Sequence, residues 1–164
     1  MQYIILYMAN FFLKEPFHHQ VKAKLTCHDT NINNFAYLME MGTGKTITAI
    51  MDLMSLALCV LMNIESLSSP KGVKFLEKYL SVQDKKKTMM IVDESTVIKT
   101  HNAKRTKNLL KLSKDIAYKR ILTGTPVTKS PLDIYTQFAF LDPKILGQTN
   151  YYAFRARYAK IINR

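Results

Sequence analysis

Residues 39–46 read "MEMGTGKT", a glycine-rich turn that leaves an apolar stretch, "NFAYLME" at 34–40, and enters a helical one, "GKTITAIMDLMSLAL" at 44–58. That placement decides the fold. Gly42 and Gly44 allow backbone dihedrals and a closeness of approach that a Cβ obstructs, so successive N–H groups can face phosphate oxygens at a helix N-terminus. Lys45 then reaches the outer phosphates, and Thr46 offers a hydroxyl to Mg²⁺. The strict pattern has glycine where Met39 stands, so the match is incomplete, and an ordinary glycine turn also fits these residues.

Outward from the loop, apolar periods alternate between strand and helix. A second strand is expected at about 59–65 ("CVLMNIE"), a loop at 66–72 ("SLSSPKG"), and an amphipathic helix at 73–82 with Val73, Leu76 and Leu80 on one face. "TMMIVDE" at 88–94 is a continuous apolar strand ending in two carboxylates. A helix over about 102–118 carries the stripe Leu109, Leu112 and Ile116, with Lys104, Lys107, Lys111 and Lys114 on another face. "YKRILTGTP" at 118–126 reads as a buried strand running into a turn, and 130–141 as a helix begun by Ser130 with Pro131 in its first turn. Such alternation calls for a parallel sheet covered on both sides, with ligands beyond the carboxyl ends of its strands.

Each polar cluster follows one of these strands. Asp93 can hold Mg²⁺ and Glu94 can orient and deprotonate a water, although paired carboxylates at a strand end are also common surface residues. Thr123 and Thr125, on either side of Gly124, offer hydroxyls that can link a terminal phosphate to a nucleic-acid surface, or merely form a turn. Upstream, the amide of Gln20 pairs with both a donor and an acceptor, as adenine requires, and Phe17 can pack near a base.

Composition bounds the rest. With 164 residues, 48% hydrophobic and 22% charged, the chain is one folded domain, or one and a fragment. Its net charge of +12 is one-sided, since residues 71–164 hold 20 of the 24 basic side chains and 7 of the 12 acidic ones. A polyanion such as nucleic acid fits that surface through counterion release, and so does a solubilising lysine face. Cys27 and Cys59 outline no disulfide framework and imply a reducing compartment. His18, His19, Cys27 and His28 match no common structural zinc spacing. Residues 3–13 lack the flanks of a signal peptide, and the apolar run at 47–64 is read as a buried helix and strand rather than a membrane span.

Taken in order, "PFHHQ" (16–20), "EMGTGKT" (40–46), "VDEST.IK" (92–99), "RILTGTP" (120–126) and "SPLDIYTQFAFLDPKILG" (130–147) resemble the first RecA-like lobe of the superfamily-two helicases, specifically the Swi/Snf-type ATPases and their bacteriophage-type relatives. The resemblance is most specific from Thr88 onward. It implies an α/β, three-layer P-loop NTPase lobe with a mostly parallel sheet. It also implies ATP contact by Gln20, phosphate binding by Gly42, Thr43, Gly44, Lys45 and Thr46, Mg²⁺ held by Thr46 and Asp93, catalysis by Asp93 and Glu94, and coupling by Thr123 to Thr125. Double-stranded DNA is then the expected partner, with Lys104, Lys107, Lys111 and Lys114 as candidate contacts, in a bacterial or phage-infected cytoplasm.

Two departures qualify the expectation. The 49 positions between Gly44 and Asp93 leave room for one intermediate strand where the family has two, so the sheet should be reduced by at least one strand. The chain is read as a single incomplete lobe: an adenine-motif segment (1–33), a P-loop core (34–142) and a basic tail (143–164), with a second-lobe polypeptide and its arginine to come from elsewhere. Hydrolysis by the lobe alone should be slow, and the alternative readings are a nucleic-acid-binding module that uses the basic C-terminal part without catalysis, or a non-functional truncated fragment.

Overall fold

The structure is a computed structural model that describes residues 3–4, 17–29, 33–40, 42–53, 60, 62–148 and 150–159, without the side chains at 3–4, 24, 27–29 and 51–53. In chain order its elements are β1 (Tyr3–Ile4), α1 (His18–Asp29), β2 (Asn34–Leu38), α2 (Lys45–Leu53), β3 (Met62–Asn63), α3 (Pro70–Ser81), β4 (Met89–Val92), α4 (Lys104–Leu112), β5 (Tyr118–Thr123), α5 (Ile134–Leu141) and α6 (Tyr151–Tyr158). Short 3₁₀ turns occupy Ile64–Ser68, Ser95–Ile98 and Pro131–Asp133.

The main sheet has three parallel strands in the order β2-β5-β4. Its register sets Leu38 beside Thr123 and Val92 beside Ile121, so all three carboxyl ends open on one edge. Every residue of β4 is buried, as a continuous apolar run predicts for a strand covered on both faces. Alternation then sorts the side chains. Met90, Val92 and Ile121 join Leu76, Leu80, Leu109 and Phe140 in one core, while Met89, Ile91 and Leu122 join Tyr37 and Ala49 in another. Helices α3, α4 and α5 therefore cover one face and α2 the other, which gives the three layers expected. Burying a side chain such as Leu109 contributes about 1.5–3 kcal/mol.

Several boundaries move. Among the described residues, the strand expected at 59–65 comprises Met62–Asn63, and it pairs antiparallel with Tyr3–Ile4, apart from the parallel sheet. The loop expected at 66–72 is a 3₁₀ turn and a helix start, because Ser69 accepts a hydrogen bond from the Gly72 N–H and Pro70 occupies the first turn. The helix expected at 102–118 ends at Leu112, which leaves Lys114 in the following turn. Residues 54–58 of the helix expected at 44–58 lie outside the described residues.

Helices α1 and α6 have no counterpart in the periodic reading. The sequence of α1, "HHQVKAKLTCHD", shows no apolar stripe. In α6, "YYAFRARY", only Phe154 is buried, and aromatic contacts hold the helix down. Tyr135 meets Tyr151 and Phe154 at 5.3 and 5.2 Å, and His101 stacks on Tyr151 with centroids 3.6 Å apart. Among the described residues no helix is long and apolar enough to cross a membrane.

The central strand contains two buried cations. Arg120 donates to the Asn33 and Lys119 carbonyls, at 2.6 and 3.1 Å, and Lys119 donates to the Leu141 carbonyl at 3.3 Å. Burial lowers the Lys119 pKa, against the opposing pull of Asp142 and Asp115.

His101 supplies a pH test of the α6 attachment. Burial, then Lys107 and Arg155, lower its pKa from the ordinary 6.5, so the folded chain resists a proton that the unfolded chain accepts. Stability at this site should fall as the pH drops below that ordinary value. His101→Phe keeps the ring against Tyr151 and removes the proton, so thermal midpoints at pH 7.5 and 5.5 should lie closer together in the variant than in the parent, compared at both pH values by circular dichroism.

Candidate active site

Every loop that leaves the carboxyl edge of the sheet brings one of the sequence-predicted groups. Residues 39–44 follow β2, Asp93 and Glu94 follow β4, and Thr123 to Pro126 end β5. Because β5 lies in the middle, its threonines stand between the glycine loop and the carboxylates. The Met39 N–H donates to the Thr123 carbonyl at 3.2 Å, which carries the β2–β5 pairing one residue into the loop.

Within the loop, Gly42 and Gly44 have φ of +80° and +77°. These left-handed values are costly for residues that carry a Cβ. Thr43 folds its hydroxyl back onto the Glu40 carbonyl at 2.7 Å, and the Lys45 ammonium reaches the same carbonyl at 3.0 Å. Lys45 is only 7% exposed, so its charge is held at the mouth of the loop. An incoming phosphate would exchange for that carbonyl and gain a charge-assisted bond.

Helix α1 closes the loop from the other side. Gln20 is buried, accepts from the Phe17 N–H at 2.9 Å and donates to the Thr43 carbonyl at 3.2 Å. His19 also contacts that carbonyl through Nε2 at 3.0 Å. Gln20 is thus a clamp on the glycine loop. Phe17 stacks on His19 with centroids 5.8 Å apart and is 70% exposed, a free apolar face beside the loop.

A hydrogen bond joins the carboxylate turn to the first turn of α2, directly after the loop. The Thr46 hydroxyl donates to Asp93 Oδ2 at 3.0 Å across 47 residues, while Asp93 Oδ1 accepts from the Glu94 N–H at 2.9 Å. Two hard oxygens at 3.0 Å match the separation of neighbouring ligands around an octahedral ion held at about 2.1 Å, so this pair fits Mg²⁺. Glu94 has φ +47° and ψ +59°, a left-handed backbone that costs about 1–2 kcal/mol without glycine. Strain of that kind is maintained by surrounding bonds.

Beyond the threonines, residues 127–133 form a tight loop on Asp133. Its carboxylate accepts from the Thr128 N–H at 3.0 Å, the Thr128 hydroxyl at 2.7 Å and the Lys129 N–H at 2.8 Å. Burial alone would raise its pKa, but the bonds from Lys129, Thr128 and Ser130 outweigh that and lower it to about 2. The contribution is therefore complete above the ordinary carboxylate range and lost only as the pH falls toward 2.

The lysine set stands apart from this cluster. Lys104, Lys107 and Lys111 are exposed on α4, which covers the face of the sheet opposite α2. Lys111 lies 3.6 Å from Glu77. Sequence reading singled out Gln20, Gly42 to Thr46, Asp93, Glu94 and Thr123 to Thr125, and the fold gathers these on one edge. It passed over His19 as a loop contact, and over Asp133, whose signal was an acidic residue three positions after a Ser-Pro helix start.

Comparison with known proteins places these features in context. Residues 56–161 match the family model described as SNF2-related domain. Over 98 residues, the chain is 32% identical to a SWI/SNF-related matrix-associated actin-dependent regulator of chromatin subfamily A-like protein 1 homolog of Caenorhabditis elegans, covering 60% of this chain and 13% of that protein. It is 39% identical over 72 residues to TATA-binding protein-associated factor 172 of Homo sapiens, covering 44% of this chain and 4% of that one. Among solved structures, the Sulfolobus solfataricus SWI2/SNF2 ATPase core in complex with dsDNA aligns over 91% of this chain and 41% of its own, with TM-score 0.56 and 18% identity. The chain thus spans a small part of the relatives it matches. The family match begins after the glycine loop, whereas the structural match covers most of the chain.

The two loop glycines differ in one testable way. A Cβ on Gly44 would stand 2.3 Å from Gln20 Nε2, whereas one on Gly42 meets nothing within 4 Å. Gly42→Ala should cost about 1 kcal/mol of left-handed strain, a fall of about 2–4 °C in thermal midpoint. Gly44→Ala should cost about twice that, because it also displaces the Gln20 amide from Thr43, and scanning calorimetry of the two variants would expose equal losses if the clamp were immaterial.

Proposed function

The chain belongs to the SNF2-related domain family, and from that membership we propose that it is the Mg²⁺-ATP-binding lobe of a nucleic-acid-dependent ATPase of the Swi/Snf type. The observation that carries this reading is the Thr46–Asp93 bond, which joins the glycine loop to the carboxylate turn and unites two oxygens suited to a magnesium ion. Lys45 and the N–H groups of residues 42–46 take the phosphates. The base lies toward Gln20, with Phe17 as an apolar surface. Thr46 and Asp93 would hold Mg²⁺, which would supply neutralisation of phosphate charge, and Glu94 would orient the attacking water and accept its proton. Thr123 and Thr125 adjoin both loops and relay the state of the terminal phosphate.

Turnover by this lobe alone is expected to be slow, since a cation presented by a second lobe is worth about 10³–10⁵ in rate. Double-stranded DNA is the proposed partner. Lys74 and Lys104 line a shallow depression of about 370 Å³ between α3 and α4 that also holds Glu77, and with Lys107 and Lys111 exposed on the same helix as Lys104 the cations outnumber the carboxylate, which suits a phosphate backbone. The same surface supports a second reading, a nucleic-acid-binding module without catalysis. Under that reading DNA affinity falls steeply with salt and is unaffected by Lys45→Ala.

Calorimetric titration tests the first reading. The parent chain should bind Mg²⁺-ATP, and Lys45→Ala should weaken binding at least about tenfold through loss of a charge-assisted bond. An absence of heat in the parent, or undiminished affinity in the variant, would defeat it.

A further inference from the structure

Gln137 is fully buried on α5, and its amide is engaged at both ends. Its Oε1 accepts from the Ser95 hydroxyl at 2.6 Å, while its Nε2 donates to the Pro126 carbonyl at 2.8 Å and to the Asp133 carbonyl, one turn back, at 2.7 Å. Ser95 is also fully buried, and it directly follows Glu94, the residue held in a left-handed backbone. Pro126 ends the threonine loop, where the Thr125 N–H donates to Thr123 Oγ1 at 3.2 Å.

The neighbouring residue repeats the connection. Thr136, equally buried, donates its hydroxyl to the Ile98 carbonyl, so consecutive residues of α5 pin both ends of the 3₁₀ turn that follows Glu94. A second crossing lies at the surface, where the Lys99 ammonium donates to the Thr128 hydroxyl of the Asp133 loop. An amide in this position is costly to desolvate, and a leucine or methionine would fill the volume without that cost. Its bonds are what distinguish it.

We propose that Gln137 is a positioning residue: it locks the turn that presents Glu94 to the loop that carries Thr123 and Thr125, so that a change at the phosphates moves both as one body. This rests on the nucleotide reading above. Gln137 touches no substrate itself. It acts by sharing one side chain between two loops that leave different strands, and cutting either bond removes their buried link, leaving only the surface Lys99–Thr128 crossing named above, while the phosphate contacts of Lys45 and Thr46 stay intact.

The test is hydrogen–deuterium exchange on the full chain with Mg²⁺ and a non-hydrolysable ATP analogue, alongside a titration of affinity. In the parent, the analogue should slow exchange about tenfold both at 42–46 and at 124–130, within the usual range of coupling between sites. Gln137→Met should bind within about threefold of the parent and protect 42–46 normally, yet leave 124–130 almost unprotected. Ser95→Ala cuts the same link from the other end. It should reproduce the pattern, and it decides the matter if Gln137→Met does not fold. Retained protection at 124–130 in either folded variant overturns the proposal, as does a uniform loss of affinity and protection, which marks a merely structural residue. A parent chain that binds no analogue overturns the nucleotide reading and this inference with it. A parent that binds without protecting 124–130 overturns the inference alone.

Discussion

The place of β5 between β2 and β4 is the constraint on which the arrangement of the site depends. Parallel register aligns the carboxyl ends of all three strands, and the middle strand then decides what stands between the glycine loop and the carboxylates. With β5 there, the threonine loop adjoins both. Were it at an edge, Thr123 could not share backbone pairing with Met39 on one side while its own loop meets Ser95 through Gln137 on the other. The Thr46–Asp93 bond has the same origin, since it joins loops from the two outer strands and needs them one strand apart.

That geometry explains where polar groups are tolerated in the interior. Lys119 and Arg120 sit in the most enclosed strand, and each hands its charge to backbone carbonyls of the segments it borders, Asn33 before β2 and Leu141 at the end of α5. Buried cations contribute little net stability, but these carbonyl bonds pin the ends of neighbouring elements against β5. Glu94 is a parallel case in the backbone. Its left-handed conformation has no glycine to relieve it, and the Ser95 and Asp93 bonds on either side keep it in place.

Much of this was legible from residue order. "TMMIVDE" and "RILTGTP" could be read as buried strands with polar ends because a strand covered on both faces needs an unbroken apolar run, and residues 42–46 could be read as a glycine turn entering a helix because few residue types permit that backbone. What escaped reading escaped for physical reasons. Helix α1 has no apolar period: among its described side chains Gln20 and His19 meet one carbonyl of the glycine loop, and Ala23 alone packs on the core beside Tyr37 and Ala49. Helix α6 is fixed by ring contacts to His101 and Tyr135, which are distant in sequence. The Ser69-Pro70 pair looked like loop punctuation, yet the same two residues make a good helix cap. The link through Gln137 spans 42 positions to Ser95, and no local pattern announces it.

The strand order also governs how such a chain comes into being. β2 and β4 are not neighbours, and each must wait for β5 before the parallel sheet can exist. About 80 residues separate the end of β2 from the start of β5, so during synthesis β2 waits about 4–16 s for its partner at usual ribosomal rates. β2 presents an open edge throughout that interval and β4 for the last part of it, a state prone to wrong pairing with other chains. The feature that assembles the site is thus also the one that exposes the nascent chain, and it makes completion of the sheet a late, long-range event rather than a local one.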